Sequence, residues 1–321
     1  MITLLSGAAF AWPRVACAQQ PRSPIIGFLS SGSAEAFAHR VRAFHEGLRE
    51  AGYVEGENVM VLYRWAEGQN DRLAAQAGEL VGRQVALIAT FGSIATLTVK
   101  KASTTIPVVF ALDEDPVRLG LVDSLSRPAG NLTGTSFLGN EVVAKRLELL
   151  RELVPTAKRL AVLVNPTYPA TQTMLRDLPP AARGLGLEID VLKASTTAEI
   201  DAAFATFLRE RPDSLFVGGD PFFSSRRVQL VNLASRHGIP STFSSREFPE
   251  IGALMSYGTN IANSWRQAGL YVGRILKGSK PADLPVMQAS KFELVINAQT
   301  AKMFGLTVPS TLLSTADDVI E

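Results

Sequence analysis

"VALIATFGSIATLTVKKASTTIPVVFAL", residues 85–112, carries the fold in one stretch. Val85 to Gly92 is a continuous apolar run too short for a helix of ordinary length. A helical pattern follows at Ser93–Ser103, and a second β-rich run at Ile106–Leu112. An apolar strand with no alternation is one that expects cover on both faces, as in parallel sheets, and a strand–helix–strand repeat is how such sheets are built. Outward from this unit the pattern persists. A strand reads at 24–30 and a helix at 34–52, with Phe37, Val41, Phe44 and Leu48 on one stripe and Gly52 as its stop. A strand at 58–66, a helix at 70–83 and a short strand at 130–137 complete the first half.

The pattern then restarts. Residues 140–155 form an amphipathic helix lined by Val143, Leu147, Leu150 and Val154, with Asn140 placed to cap it and Pro155 to end it. Strands read at 159–165, 187–195, 213–219, 239–244 and 252–258. Helices read at 169–186, interrupted by Pro179-Pro180, and at 197–210, 224–238 and 263–278. The expected architecture is therefore α/β: two doubly wound, Rossmann-like parallel-sheet lobes joined by a multi-segment hinge. The first lobe is expected to take residues 19–136 and about 258–285, the second 137–257 and about 286–321.

Composition narrows the function. Of 321 residues, 46% are hydrophobic and 19% charged, which is globular. Lys+Arg 32 against Asp+Glu 30 leaves +2, too even for a nucleic-acid partner or an anionic membrane surface. "MITLLSGAAFAWPRVACAQQ" opens with an apolar run too short to span a bilayer, and Ala16-Cys17-Ala18 fits a signal-peptidase site, so residues 1–18 read as a cleaved export signal. Cys17, the only cysteine, falls inside it; the exported chain then holds no thiol for nucleophile, disulfide or metal. There is no G-x-S-x-G elbow and no G-x-G-x-x-G dinucleotide turn. His39 and His45 are six apart on one helix, which is not metal spacing. No catalytic residue, metal or cofactor is expected, and the chain does not read as an enzyme.

In open α/β sheets, ligands sit beyond the carboxyl ends of the strands. Those ends here are rich in hydroxyls, helix-opening amides, aromatic rings and a few carboxylates: Ser30-Ser31, Phe91-Gly92-Ser93, Asp113-Glu114-Asp115, Ser136, Asn165-Pro166-Thr167-Tyr168, Asp220-Pro221-Phe222-Phe223 and Ser256-Tyr257. A helix start at Ser93 can hold a carboxylate. Asp115 or Asp220 can hold an ammonium, and the rings an apolar group. Asp-Pro after a strand is equally a helix cap, so Asp220 reads as either cap or ligand contact, and one of Phe222 and Phe223 as a cover for the ligand.

"IGFLSSGS", "GLREAGYVEGENV", "YRWAEGQNDRL", "DPVRLGLVDSLSRPAGNLTG", "AKRLELLRELVP", "LFVGGDPFF" and "KFELVINAQTAKMFGLTVP" resemble, in order and along essentially the whole chain after residue 18, the ABC-transporter substrate-binding proteins of the tryptophan/tyrosine type. The resemblance implies a type I periplasmic-binding-protein fold, a periplasmic location, a membrane ABC permease as partner, and a small amino-acid-like ligand held between closing lobes; characterised relatives bind aromatic amino acids. Carried over by position, it implies a pocket of Ser30, Ser31, Phe91, Gly92, Ser93, Asp115, Ser136, Asp220 and Tyr257. In "ALDEDP" (111–116) this sequence departs from the family's glycines before Asp-Pro; the added Asp113 and Glu114 disfavour an acidic ligand. A ligand sensor of the same fold, coupled to a signalling partner, is the alternative function.

Overall fold

The computed structural model describes residues 23–137, 142–289 and 291–321. The expected export signal and the Asn140 cap lie outside them.

The first half runs β1 (Ile25–Ser30), α1 (Ala38–Glu50), β2 (Met60–Trp65), α2 (Arg72–Gly82), β3 (Leu87–Phe91), α3 (Ser93–Ala102), β4 (Val108–Leu112) and β5 (Leu132–Ser136). The second runs α4 (Val143–Leu153), β6 (Arg159–Val164), α5 (Ala170–Gly184), β7 (Glu188–Lys193), α6 (Thr197–Glu210), β8 (Ser214–Val217), α7 (Pro221–Ser225), α8 (Arg227–Arg236), β9 (Ser241–Phe243) and β10 (Met255–Thr259). The chain closes with α9 (Ile261–Leu276), β11 (Met287–Gln288), β12 (Phe292–Asn297), α10 (Ala298–Met303), α11 (Ser310–Thr315) and β13 (Asp318–Ile320). One sheet has the order β11-β5-β4-β3-β1-β2, the other β13-β12-β10-β9-β8-β6-β7. All pairs are parallel except β10 with β12. Strands β3, β4 and β8 are buried throughout, the result of helices packed on both faces.

The chain passes between the sheets three times: after β5, between β10 and α9, and between β11 and β12. Thr259 Oγ1 donates to the Phe137 carbonyl at 2.6 Å, tying two of these passages together. The sequence reading allots residues from about 286 to the second lobe; β11 instead hydrogen-bonds β5 of the first sheet, with Met287 opposite Thr135. Two residues are too few to carry a hydrophobic pattern of their own, so their sheet is set by tertiary context.

α9 crosses back to cover the first sheet, lying against α1 through glycines. A Cβ at Gly47 would overlap the Arg266 carbonyl, and one at Gly269 the Phe44 carbonyl, so the two backbones touch only because both residues lack one.

Two helices differ from expectation. The helix read at 224–238 begins at Pro221 and breaks at Arg226 into α7 and α8. The cause is local: the Asp220 carboxylate accepts from the Phe222 and Phe223 amides, and Pro221 is preset for the first helical turn. α5 continues through Pro179 and Pro180 with Leu178 and Ala182 buried; Pro180 is exposed and Pro179 half-buried, off the buried stripe.

Candidate ligand-binding site

The carboxyl ends of the two sheets face each other across a cleft that is closed. Arg40 of α1 donates to Glu247, beyond β9, through Nε at 2.7 Å and Nη2 at 2.6 Å. His39 Nε2 meets the same carboxylate at 2.7 Å. Arg227 donates to the Ala36 carbonyl at 3.0 Å, and the Phe222 ring lies over Gly68 of the first lobe. The Tyr168 hydroxyl, between β6 and α5, donates to the Asp113 carboxylate, beyond β4. Arg40 and Glu247 are 5% and 7% exposed, so this ion pair is fully enclosed.

Between these bridges is a cavity with about 50 Å³ open to the centre of a water molecule. Its apolar wall comes from the first lobe and α9: Phe37, Phe91 and Trp265. Phe91 and Trp265 stack with centroids 3.8 Å apart, and Phe37 meets Trp265 edge-on at 5.8 Å. Its polar wall is acidic and bipartite: Asp113 from the first lobe, Asp220 and Tyr168 from the second, with Ser224, Ser244 and Thr259 hydroxyls around them.

Burial dominates the electrostatics. It pushes Asp113 up to about 6, against the opposing help of the Tyr168 hydroxyl. It pushes Asp220 up to about 7, although Asp220 accepts from two amides and from Asn165 Nδ2 at 2.8 Å; the nearby Asp113 charge adds to the rise. Glu114, just outside, is also raised to about 7 by burial and by Asp113. Glu247, by contrast, is held down at about 2: the Arg40 and His39 contacts outweigh its burial. Raised carboxyls in a closed site are groups short of a cation.

The residues singled out by sequence divide into three sets. Phe91, Gly92 and Asp220 line the cavity. Ser30, Ser31, Ser93 and Ser136 are buried close behind it: Ser30 Oγ accepts from the Gly32 amide at 3.2 Å, Ser31 takes the Gly68 amide through its carbonyl, and Ser136 donates to the Glu114 carbonyl at 2.8 Å. Ser93 opens α3 close enough to Asp113 and Glu114 to lower both, without closing a regular hydrogen bond to either. Asp115, Phe222 and Tyr257 are elsewhere. Asp115 caps the turn at Val117 at 2.8 Å and faces an outer groove. Phe222 and Phe223 pack into the second-lobe core, and Tyr257 packs beside Phe292. Sequence reasoning missed Phe37, Arg40 and Trp265 as wall residues, named Tyr168 at a strand end without carrying it into the pocket, and took Asp115 where Asp113 points inward. Among the described residues no group of His, Cys, Asp and Glu could hold a metal ion, and no helix is long and apolar enough to cross a membrane.

Two doubly wound lobes closed on a small interlobe cavity define a ligand-binding protein of the type I periplasmic-binding-protein kind. More narrowly, the chain belongs to the ABC transporter substrate binding protein family, whose profile matches residues 25–320. It is 27% identical over 266 residues to a "Tyrosine-binding protein" of Clostridioides difficile (strain R20291), an alignment covering 83% of this chain and 76% of that one. Its structure resembles the "ABC domain in complex with L-Trp" from Streptococcus pneumonia, with a TM-score of 0.84, 26% identity, and coverage of 93% and 100%. The "ligand-free, open structure" of a substrate binding protein with adhesive properties from Clostridium difficile overlaps less well: TM-score 0.64, 24% identity, coverage 92% and 99%. The family is one of binding proteins, not of enzymes.

Proposed function

We propose that this protein is the exported, periplasmic solute-binding component of an ABC importer, that it hands its ligand to a membrane permease, and that the ligand is a small aromatic compound of the amino-acid type bearing an ammonium group. One observation carries the reading: Asp113 and Asp220, one from each lobe, line a closed cavity beside the Phe37–Phe91–Trp265 wall, and among the described residues the cation on that wall, Arg40, is already paired with Glu247. An ammonium there neutralises carboxylates from both lobes at once, which gives the ligand higher affinity for the closed state than for any open one. The aromatic wall covers the rest of the molecule. The names of the tyrosine-binding relative and of the tryptophan complex support the ligand class, and the better overlap with the ligand-bound neighbour than with the open one supports a cleft built to shut. The apolar opening stretch and its Ala16-Cys17-Ala18 site support export.

The test is a thermal-shift panel on the chain from residue 19. Aromatic amino acids and their amines are expected to raise Tm in a concentration-dependent way, through a stabilisation of about 2.7 kcal/mol at a hundredfold excess over Kd. Sugars and aliphatic acids are expected to leave it unmoved. A shift confined to ligands lacking an amine contradicts the reading.

A further inference from the structure

We propose that the cavity selects its occupant by net charge, taking a monocationic aromatic amine, or an amino-acid derivative whose carboxylate is masked, in preference to the zwitterionic amino acid. This rests on the binding-protein reading above and names the ligand's charge class.

The geometry gathers carboxylates from both lobes for a positive group, while the cation on the wall is already paired. Asp113 and Asp220 project from opposite lobes into the same cavity. Among the described residues Arg40 is the cationic side chain on the cavity wall, and its Nε and Nη2 already donate to Glu247. The same Arg40 is over the Phe37 ring, 4.4 Å from its centroid, so packing as well as pairing fixes its direction. A buried pair of this kind is costly to break, because the partner left behind keeps its charge out of water.

Helix amino ends are the other common seat for a carboxylate. At α7 the amides of Phe222 and Phe223 are taken by Asp220 itself. At α9 the Asn263 amide is taken by Asn260 at 3.0 Å. α1 begins with Phe37 bonded to the Ser33 carbonyl and Ala38 to that of Glu35. α3, like α1, has no side-chain cap, and its first residue, Ser93, is beside the carboxyls of Asp113 and Glu114. A ligand carboxylate placed there meets two acids. The upward displacement of Asp113 and Asp220 agrees with this picture: burial raises both, and the Asp113 charge adds to the rise at Asp220.

The experiment compares four indoles by calorimetric titration at pH 7: tryptamine, tryptophanamide, tryptophan and indole-3-propionate, with the corresponding tyrosine series alongside. The amine and amide are expected to bind about tenfold or more tightly than the amino acid, and the acid not at all. Glu247→Gln frees the Arg40 charge, and is expected to narrow or reverse that gap by strengthening the amino acid. Asp113→Asn, which keeps an acceptor for Tyr168, is expected to weaken the amine more than the amino acid. An amino acid that binds at least as tightly as its amine overturns this inference alone. Binding of no member of either series overturns the inference together with the function it rests on.

Discussion

Asp220 holds two positions at once. Its Oδ1 caps α7, and its other oxygen accepts from Asn165 within reach of the cavity, so the cap fixes the direction in which the charge points. Asn at this position can still cap through its oxygen, so Asp220→Asn removes the charge and keeps the helix start, giving up the acceptor for Asn165 Nδ2. Its affinity for an ammonium ligand is expected to fall about tenfold to a hundredfold, the range for a hydrogen bond to a charged group. The pH dependence follows from the same carboxyls. Asp113 at about 6 and Asp220 at about 7 are raised above their unfolded values, so the folded protein binds protons more tightly at these groups than the unfolded chain does. That part of its stability is present below the unfolded values and declines as pH rises through about 6 and 7. Ligand binding runs the other way, because an ammonium needs the ionised carboxylates. Affinity measured by titration from pH 5 upward is expected to rise, and to level off above about 7, where Asp220 is ionised without help. A flat profile over that range in the wild type would falsify the assignment of these carboxyls to the ligand.

Between elements, the α1–α9 contact is the joint that makes the site. α9 brings Trp265 onto Phe91, and α1 brings Phe37 and Arg40, so the aromatic wall depends on how closely these helices approach. Gly269 sets that distance. In an exposed helix, Gly→Ala gains about 1 kcal/mol from propensity. At Gly269 the added methyl meets the main-chain carbonyl of Phe44, which cannot move aside without the helix. Overlap wins: Gly269→Ala is expected to cost about 2 kcal/mol in denaturant unfolding. Gly78→Ala, in exposed α2 with nothing within 4 Å, is expected to gain about 0.5–1 kcal/mol. Equal effects at the two sites would contradict the close-approach account. The alternation of strands and helices was legible from residue 24 onward because the central strands, such as β3, β4, β6 and β8, are nearly uninterrupted apolar runs, and the helices between them carry their own stripes. What escaped were features set by contacts between elements. β11 takes its sheet from a neighbour it cannot specify alone, and α7 starts three residues early because a carboxylate and a proline outweigh the weak stripe after it. Of the residues lining the candidate cavity, Phe91, Gly92 and Asp220 were legible because each stands just beyond or at the end of a strand. Trp265 and Arg40 were not, since each is on a helix face that also reads as ordinary core. The one local signal for Arg40 was its spacing, three residues after Phe37 and four before Phe44, which sets a charge on an apolar stripe.

At the scale of the molecule, the lobes stand closed with the cavity largely collapsed. Arg40 with Glu247 on one side and Tyr168 with Asp113 on the other hold the two sheets together, while the chain crosses between them three times. Closure is thus built into contacts that leave out the ligand, and the ligand's own contribution is to neutralise the carboxylates that closure buries. The most direct measurement is native mass spectrometry of the protein as purified from cells, followed by release and identification of the solute it carries. The expected solute has an aromatic ring and a basic nitrogen, and is lost from Asp113→Asn/Asp220→Asn. A sugar, or an acid without an amine, retained equally by wild type and double variant, would contradict the account.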